Sequence, residues 1–204
     1  MSFTEFPKIA RFDRTVVITE KIDGTNAQIE ICDPSKEAGL DLVRNAEFVL
    51  ATHPETGYVM LAGSRSRYIT PDRDNFGFAR WVQEHSEMLF RLGPGRHYGE
   101  WWGNGIQRGY GLPQGDKRFS LFNVHRYKDG VPEGVPCSVV PVLLQHTGLG
   151  AVREHLSTVI ERLKSLGSVA APGFMNPEGV VLFHTASSTL YKYTLDGDGH
   201  KEAR

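Results

Sequence analysis

Cysteine is nearly absent from this sequence: its 204 residues include only two, Cys32 and Cys137. The two are far apart and no Cys-x-x-Cys pair occurs, which excludes a disulfide-stapled small fold and a zinc ribbon. A chain of this length buries roughly 70% of its unfolded surface without such staples. The low cysteine content predicts a reducing compartment, and we expect a cytoplasmic protein.

Long hydrophobic runs are also missing. Apolar runs such as Val139–Leu144 and Val180–Phe183 are far shorter than the ~18 residues that span a bilayer. No basic-then-apolar leader opens the chain. We therefore expect a soluble, unsecreted protein with no membrane partner.

Neither sign of charge is in excess, because 23 Lys and Arg against 24 Asp and Glu leave a net charge of -1. This balance excludes a general basic coat for nucleic acid, although a local basic patch is compatible with it. With 40% hydrophobic residues, the composition excludes a disordered chain. We expect a single domain over residues 1–204.

Strand-forming residues dominate the first third of the chain. Thr15–Glu20 and Asn26–Cys32 are rich in β-branched residues and are separated by a short Asp-Gly turn, which predicts an antiparallel hairpin. Glu47–Thr52 and Gly57–Ala62 predict a second hairpin. Further strands are expected at 97–102, 118–125, 138–145, 179–184 and 189–195.

Apolar residues at helical spacing predict two helices. The first covers 75–92, with Asp74 as its N-cap. The second covers 151–166 and ends at Gly167, with Leu166 on its apolar face. Strands interrupted by two separated helices predict an α+β fold of antiparallel sheets.

The most informative segment is TEKIDGTN at residues 19–26, where a lysine ends a predicted strand just before the Asp-Gly turn. A lysine at this place can project its amine into a cleft at the rim of a sheet. This segment alone favours the alternative of an ordinary hairpin with a solvated lysine. Period-two alternation places Glu20 and Lys21 on opposite faces, so the two side chains serve different sites.

Five more segments follow in a fixed order. They are SRSR at 64–67, YGE at 98–100, FSLFNV at 119–124, PEGVV at 177–181 and YKYT at 191–194. Together with the lysine segment they resemble motifs I, Ia, III, IIIa, IV and V of the covalent nucleotidyltransferases, the superfamily of ATP-dependent ligases and mRNA capping enzymes. The resemblance spans roughly residues 15–195 and implies two antiparallel sheets with flanking helices that form a nucleotide cleft.

Two details resemble the RNA ligases that seal nicks in duplex RNA. DNA ligases and capping enzymes usually carry arginine two residues after the Asp-Gly pair, where this chain has Asn26. The stretch GNGIQ at 103–107, which follows Glu100, is also similar to that family. Its glycines do not form a dinucleotide-binding fingerprint, because no helix follows at the required spacing.

The resemblance implies that Lys21 attacks the α-phosphate of ATP, expels pyrophosphate and holds AMP through a phosphorus–nitrogen bond. A fully exposed lysine is almost entirely protonated at neutral pH, so this role requires a partly buried Lys21. Lys192 matches the motif V lysine that contacts the α-phosphate, and Arg65 matches the motif Ia arginine. Arg67, on the same predicted strand face, is a rival for Arg65. Thr194 stands where many relatives have a second lysine.

Two glutamates and an aromatic residue complete the resemblance. Glu100 is assigned to the nucleotide ribose and Glu178 to the metal environment. Mg²⁺, with Mn²⁺ as an alternative, binds a few carboxylates plus water and phosphate oxygens. Phe122 is expected to stack on adenine, although a core role fits its strand position equally, and Glu20 is expected to face the nucleobase. The implied nucleotide-binding residues are Glu20, Asp23, Gly24, Asn26, Arg65, Glu100, Phe122, Glu178 and Lys192.

Histidines and tryptophans near these segments have simpler explanations. His97, His155 and His184 show no zinc spacing and are expected to pack or to lie on the surface. Trp101 and Trp102 follow Glu100 and point to opposite faces, either in the core or as a stacking surface for nucleic acid.

We therefore expect an ATP-dependent RNA ligase that joins 3′-hydroxyl and 5′-phosphate RNA ends through lysyl-AMP and an adenylylated 5′ end. The chain ends 12 residues after Lys192. We expect no OB-fold or other C-terminal domain, and a protein partner that replaces it. Two alternatives stay open: a minimal DNA ligase or capping-type guanylyltransferase, and a nucleic-acid-binding module that keeps the fold without catalysis.

Overall fold

Eleven β-strands and three α-helices occur in the part of the chain that the computed structural model describes, residues 3–36, 46–148 and 152–196. They belong to two compact units. The terminal unit is Met1–Lys21 with Pro141–Arg204, and the central unit is Ile22–Val140. Each unit has its own sheet and its own hydrophobic core, which confirms the predicted α+β class.

The regular elements follow each other along the chain with short connections. The strands are β1 Thr15–Lys21, β2 Thr25–Cys32, β3 Ala51–Thr52, β4 Val59–Ser64, β5 Tyr68–Ile69, β6 Gly95–Gly103, β7 Lys117–Leu121, β8 Ser138–Val139, β9 Val142–Thr147, β10 Gly179–His184 and β11 Thr189–Thr194. The helices are α1 Phe78–Glu84, α2 Ser86–Leu89 and α3 Val152–Leu166, with 3₁₀ turns at 46–48, 71–73, 90–92 and 109–111.

The terminal unit is a four-stranded antiparallel sheet in the order β11-β10-β1-β9, with α3 on one face. Val16 and Ile18 of β1 share a buried cluster with Val159 and Leu163 of α3. Because side chains alternate along a strand, the odd-numbered residues of β1, including Lys21, point to the other face of the sheet.

The central unit is a sheet in the order β3-β4-β2-β6-β7-β8, with β5 paired to β4. All its strand pairs are antiparallel except β7 with β8. Ile29 and Ile31 of β2 share a buried cluster with Phe78 and Val82 of α1. Alternation therefore gives β2 one apolar face and one face that carries Asn26 and other polar side chains.

Both predicted helices are present, with differences at their ends. The first is broken at His85, whose φ of -107° and ψ of 12° interrupt the helix between α1 and α2. Asp74 is not the N-cap residue, but its carboxylate accepts hydrogen bonds from the first-turn amides of Ala79 and Arg80 at 2.7 and 3.1 Å. The second helix agrees with the prediction except for Leu166, which is exposed. No described helix is long and apolar enough to cross a membrane.

The first predicted hairpin is wrong. β1 pairs with β9 and β10, whereas β2 pairs with β4 and β6, so the two strands belong to different sheets. The amides of the connecting turn explain the difference. Asp23 N–H donates to Tyr110 Oη at 2.8 Å and Gly24 N–H donates to Glu100 Oε1 at 3.1 Å, so neither bonds across a hairpin.

Other strand predictions need smaller corrections. The second hairpin is confirmed in shortened form as β3 and β4. The strand expected at 118–125 ends at Leu121, and the one expected at 138–145 is divided into β8 and β9. Trp101 and Trp102 are both buried, so they belong to the core and do not form a stacking surface.

His97 is buried in the central unit and hydrogen-bonded at both ring nitrogens. Nε2 lies 2.8 Å from the carbonyl of Gly93, so it carries the proton, and Nδ1 accepts from Tyr127 Oη at 2.6 Å. Burial lowers the pKa of His97 to about 4, and the charge of Arg126 acts in the same direction. The neutral ring is therefore the form that fits the fold.

This burial predicts that acid destabilises the protein through His97. An unfolded histidine binds a proton near pH 6.5 and the folded one only near pH 4. The contribution of neutral His97 to the free energy of unfolding is therefore fully present above pH 6.5. It falls by up to about 3 kcal/mol as the pH drops toward 4. Urea unfolding across this range should show the advantage of wild type over His97→Gln shrinking toward acid. If the free energies of unfolding of the two proteins changed in parallel with pH, His97 would not be the cause of the acid destabilisation.

Candidate active site

The side chain of Lys21, the last residue of β1, meets the carboxylate of Glu178, the residue before β10. Lys21 Nζ donates to Glu178 Oε2 at 2.6 Å, and the two side chains are only 24% and 15% exposed. The expected partial burial of Lys21 is confirmed. The contact places a proton acceptor within hydrogen-bond reach of a partly buried amine, which is the geometry that removal of a proton from a lysine nucleophile needs.

The sheet register places Lys192 on the same face as Lys21. In one row Lys21 pairs with Gly179, which pairs with Thr194. Two rows away, and therefore on the same face, Thr19 pairs with Val181, which pairs with Lys192 of β11. Lys192 is an exposed residue. Lys21 and Lys192 thus bring two positive charges to this face beside the Glu178 carboxylate, which suits an anionic ligand.

Gly179 keeps β11 beside the lysine row. Its φ is +156°, and a Cβ atom there would overlap the carbonyl oxygen of Tyr193 on β11. Only glycine therefore allows β10 to start at this position with β11 alongside. The position of Lys192 depends on this contact.

We expect Gly179→Ala to reduce the free energy of unfolding by roughly 3 kcal/mol, because the added methyl group displaces the β11 backbone. Gly173→Ala is the matched control, since Gly173 also has a positive φ of +91° but a methyl group added there would meet nothing within 4 Å. The control should lose about 1 kcal/mol from backbone strain alone. Urea unfolding measures both, and equal losses would contradict the overlap.

Glu20 lies on the opposite face of β1 from Lys21, as alternation predicted. Its carboxylate is buried and bonded to the segment after α3 through Ser168, Val169 and Ala170. The nucleobase contact implied by the resemblance stays a prediction.

In the central unit, the Asp-Gly pair is tied to the loop after β6. Arg108 Nε donates to Asp23 Oδ2 at 3.1 Å, and Tyr110 accepts from the Asp23 amide. Tyr110 is buried with a φ of +51°, a left-handed conformation that costs about 1 kcal/mol. Neither Arg108 nor Tyr110 was predicted as a site residue from the sequence. The feature that could have indicated them is their position just after GNGIQ at 103–107, a segment that contributed only to the family resemblance.

Gly24 is required for close approach of β6. A Cβ atom there would overlap the carbonyl oxygen of Trp101 and lie 2.8 Å from Trp102 Cβ. This contact lets the Gly24 amide reach the Glu100 carboxylate. Glu100 in turn is paired in register with Asn26, so three predicted site residues meet on the polar face of the central sheet.

Phe122 follows the end of β7 directly. Its backbone amide donates to the carbonyl of Tyr98 at 2.9 Å, which fixes the backbone, while its side chain is 40% exposed. A core role for this ring is therefore excluded. The exposed ring leaves a face for stacking, and the adenine contact stays a prediction.

Arg65 and Arg67 lie in a turn, not on one strand face as predicted. Ser64 ends β4, and its amide donates to the carbonyl of Arg67 at 2.8 Å, which closes the turn before β5. Both arginine side chains are exposed. Because Ser64 pairs with Ala27, the turn lies beside the end of β2 that carries Asn26.

Among the described residues, no group of three or more His, Cys, Asp or Glu side chains could hold a metal by itself. A single partly exposed carboxylate such as Glu178 nevertheless suits Mg²⁺, which keeps several waters and takes phosphate oxygens from its substrate. His97 and His184 are buried and hydrogen-bonded within the protein.

The α+β arrangement of two sheets, mostly antiparallel, is a nucleotidyltransferase-like fold. Residues 14–194 match the family model described as RNA ligase. The match covers most of the chain, and the chain belongs to the RNA ligase family.

Solved structures of RNA ligases share the fold. An archaeal ATP-dependent RNA ligase (form 2) is similar with a TM-score of 0.58 and 16% identity over 93% of this chain and 48% of that chain. A Naegleria gruberi RNA ligase mutant with ATP and Mn gives 0.54 and 15% over 90% and 50%. Another mutant of that ligase, with AMP and Mn, gives 0.55 and 14% over 90% and 50%. The chain thus spans about half the length of these ligases. A comparison with curated proteins finds no match.

Proposed function

We propose that this chain is an ATP-dependent RNA ligase that joins RNA 3′-hydroxyl and 5′-phosphate ends through AMP bound covalently to Lys21. The observation that carries the proposal is the partly buried Lys21 held by Glu178 at 2.6 Å, in a chain that belongs to the RNA ligase family. The solved relatives with ATP, AMP and Mn support the choice of nucleotide and of a divalent metal.

In the first step, Lys21 Nζ attacks the α-phosphorus of ATP. A phosphorus–nitrogen bond forms, the bond to the bridging oxygen breaks, and pyrophosphate leaves with that electron pair. The ammonium must lose a proton before attack, and Glu178 Oε2 is the acceptor that already holds it. Lys192, on the same sheet face, supplies positive charge for the phosphate.

Glu178 is also the proposed metal carboxylate. Mg²⁺ or Mn²⁺, when bound, would neutralise phosphate charge during transfer. Glu178 directly precedes β10, whose first residue, Gly179, pairs with Lys21. That pairing sets the backbone of Glu178 beside the end of β1 that carries the amine.

The remaining roles are proposed from the family resemblance. Glu100 binds the ribose, Phe122 stacks on adenine, and Asp23, Gly24 and Asn26 hold the loop that follows the nucleophile. The Glu100 carboxylate beside the Gly24 amide and the exposed ring of Phe122 support these assignments.

In the later steps AMP passes to the RNA 5′-phosphate, and the 3′-hydroxyl then displaces it to form the phosphodiester. Arg65 is proposed to contact the RNA ends, and its exposure in the turn supports this role. A protein partner or a further RNA-binding part is proposed to supply additional contacts.

The decisive experiment combines labelling with sealing. Wild-type protein is incubated with labelled ATP or GTP, and then with nicked duplex RNA, single-stranded RNA and nicked DNA over a salt series. We expect labelling by ATP only and sealing of RNA that falls with salt, because each phosphate contact contributes roughly -0.9 to the slope of log affinity against log salt. GTP labelling would favour a guanylyltransferase, and efficient sealing of DNA but not RNA would favour a DNA ligase. No labelling at all would favour a binding module.

Arg65→Ala tests the RNA end contact separately. Sealing of pre-adenylated RNA should fall at least about 10-fold while labelling of Lys21 changes little, because Arg65 is proposed to act after adenylylation. Arg67→Ala is the matched control from the same turn. A larger sealing defect in the control would assign the role to Arg67.

A further inference from the structure

The carboxylate of Glu20 is buried and fully engaged beside the candidate nucleophile. Glu20 is 1% exposed. Ser168 Oγ donates to its Oε1 at 2.5 Å, and the backbone amides of Val169 and Ala170 each donate to its Oε2 at 2.9 Å. No ion pair of Glu20 occurs within residues 3–36, 46–148 and 152–196, so these three donors stabilise the group.

The three hydrogen bonds explain how the fold tolerates a buried carboxylate at this position. A buried charge is tolerated only when it is well hydrogen-bonded, and hydrogen bonds to a charged group are stronger than neutral ones. Both Glu20 oxygens are used by the protein and almost no surface is left for a ligand. A nucleobase contact needs an accessible carboxylate oxygen, which this environment does not provide.

The segment bound by Glu20 is the connection 167–178 between α3 and β10. It is folded on itself, because Ser168 N–H donates to the Phe174 carbonyl at 2.8 Å and Ala171 N–H to Ser168 Oγ at 2.9 Å. Ser168 therefore joins the Glu20 carboxylate to the turn of the connection.

The two ends of this connection are held by adjacent residues of β1. Glu20 holds its beginning on one face of the strand, and Lys21 holds its end through Glu178 on the other. Loss of the Glu20 contact frees the beginning of this 12-residue segment, while the backbone at its end stays held by the pairing of Gly179 with Lys21. The segment that carries Glu178 is thus tied to both faces of the strand.

We propose that Glu20 is a positioning residue for adenylylation: it anchors the connection 167–178 and so keeps Glu178 in place against Lys21. The inference rests on the proposed function and assigns Glu20 a role other than the nucleobase contact that the family resemblance implies.

A double-mutant cycle of Glu20→Gln and Ser168→Ala tests the anchor. Glu20→Gln keeps the size but replaces one acceptor oxygen by an amino group, and the maximal rate of self-adenylylation should fall about 100-fold, as expected for a small displacement of a catalytic group. Ser168→Ala should lose roughly 10-fold, the effect of one charge-assisted hydrogen bond. The double variant should be no slower than Glu20→Gln. Ser168→Thr should restore most of the rate, and Ser165→Ala on the exposed face of α3 is the matched control.

Two further measurements separate positioning from base recognition. The preference for ATP over GTP and the KM for ATP should be unchanged in Glu20→Gln, because the proposed defect lies in the rate. Hydrogen exchange should show the Val169 and Ala170 amides losing protection in the same variant, whether or not the protein is active.

The outcomes are distinct. A changed nucleotide preference in Glu20→Gln together with an unaffected Ser168→Ala would overturn the anchor in favour of a base contact. Unaltered rates and exchange in Glu20→Gln, with normal labelling of wild type, would overturn the positioning role alone. If wild type is not labelled, the proposed function fails and the positioning role fails with it, while the exchange result still decides whether Glu20 holds the connection.

Discussion

Lys21→Arg should abolish covalent labelling by ATP, with a loss of at least about 1,000-fold in rate. Arginine keeps the positive charge and the pairing with Glu178, but its guanidinium stays protonated and is not a nucleophile. The variant therefore separates loss of the nucleophile from loss of the ion pair. Labelling is followed with radioactive ATP, and the wild-type adduct should be acid-labile and alkali-stable as a phosphorus–nitrogen bond.

The matched control is Lys164→Arg. Lys164 also pairs with a glutamate, Glu161, at 3.1 Å, but on the exposed surface of α3. Labelling of this variant should equal that of wild type, because surface ion pairs contribute little. Labelling of Lys21→Arg at the wild-type rate would remove Lys21 from the role of nucleophile.

Glu178→Gln should slow self-adenylylation about 100-fold even at saturating ATP, since one charged group that acts on the shifting phosphate charge is lost. Glutamine keeps the shape and a hydrogen bond to Lys21, so the fold should be maintained. Excess Mg²⁺ or Mn²⁺ should restore part of the rate. Single-turnover labelling over a range of ATP and metal concentrations separates this rate defect from weaker ATP binding.

Glu161→Gln serves as the control for Glu178, because Glu161 is a glutamate paired with lysine and 72% exposed. It should label normally. Kinetics of Glu178→Gln that match those of the control would exclude Glu178 from the site, and a defect cured by raising ATP would place its role in ATP binding.

Local patterns in the sequence were sufficient to predict several regular elements and the family. β10 and most of α3 lie where periodicity placed them, because alternation and helical spacing are local properties that the final pairing does not change. The opposite orientations of Glu20 and Lys21 follow from the same alternation. The order of the six motifs pointed to the nucleotidyltransferases, and the match of residues 14–194 to the RNA ligase family agrees with it.

Which segments pair with one another depends on the folded chain as a whole. An Asp-Gly turn between two β-rich segments satisfies every local rule for a hairpin, yet β1 and β2 enter different sheets. The turn amides are bonded to Tyr110 and Glu100, more than 70 residues away, and no local pattern encodes such partners. Burial decides between competing strand pairings, and burial depends on the whole chain.

The candidate site shows the same division. The sequence indicated Lys21 and Glu178 as separate matches, but their contact at 2.6 Å joins residues 157 positions apart. Arg108 on Asp23 and Ser168 on Glu20 were not foreseen, because an arginine or a serine in a loop carries no sign of its partner. The residue types proposed for the chemistry could therefore be identified in the sequence, while the contacts that hold them in place arise only when the strands pair and the loops pack.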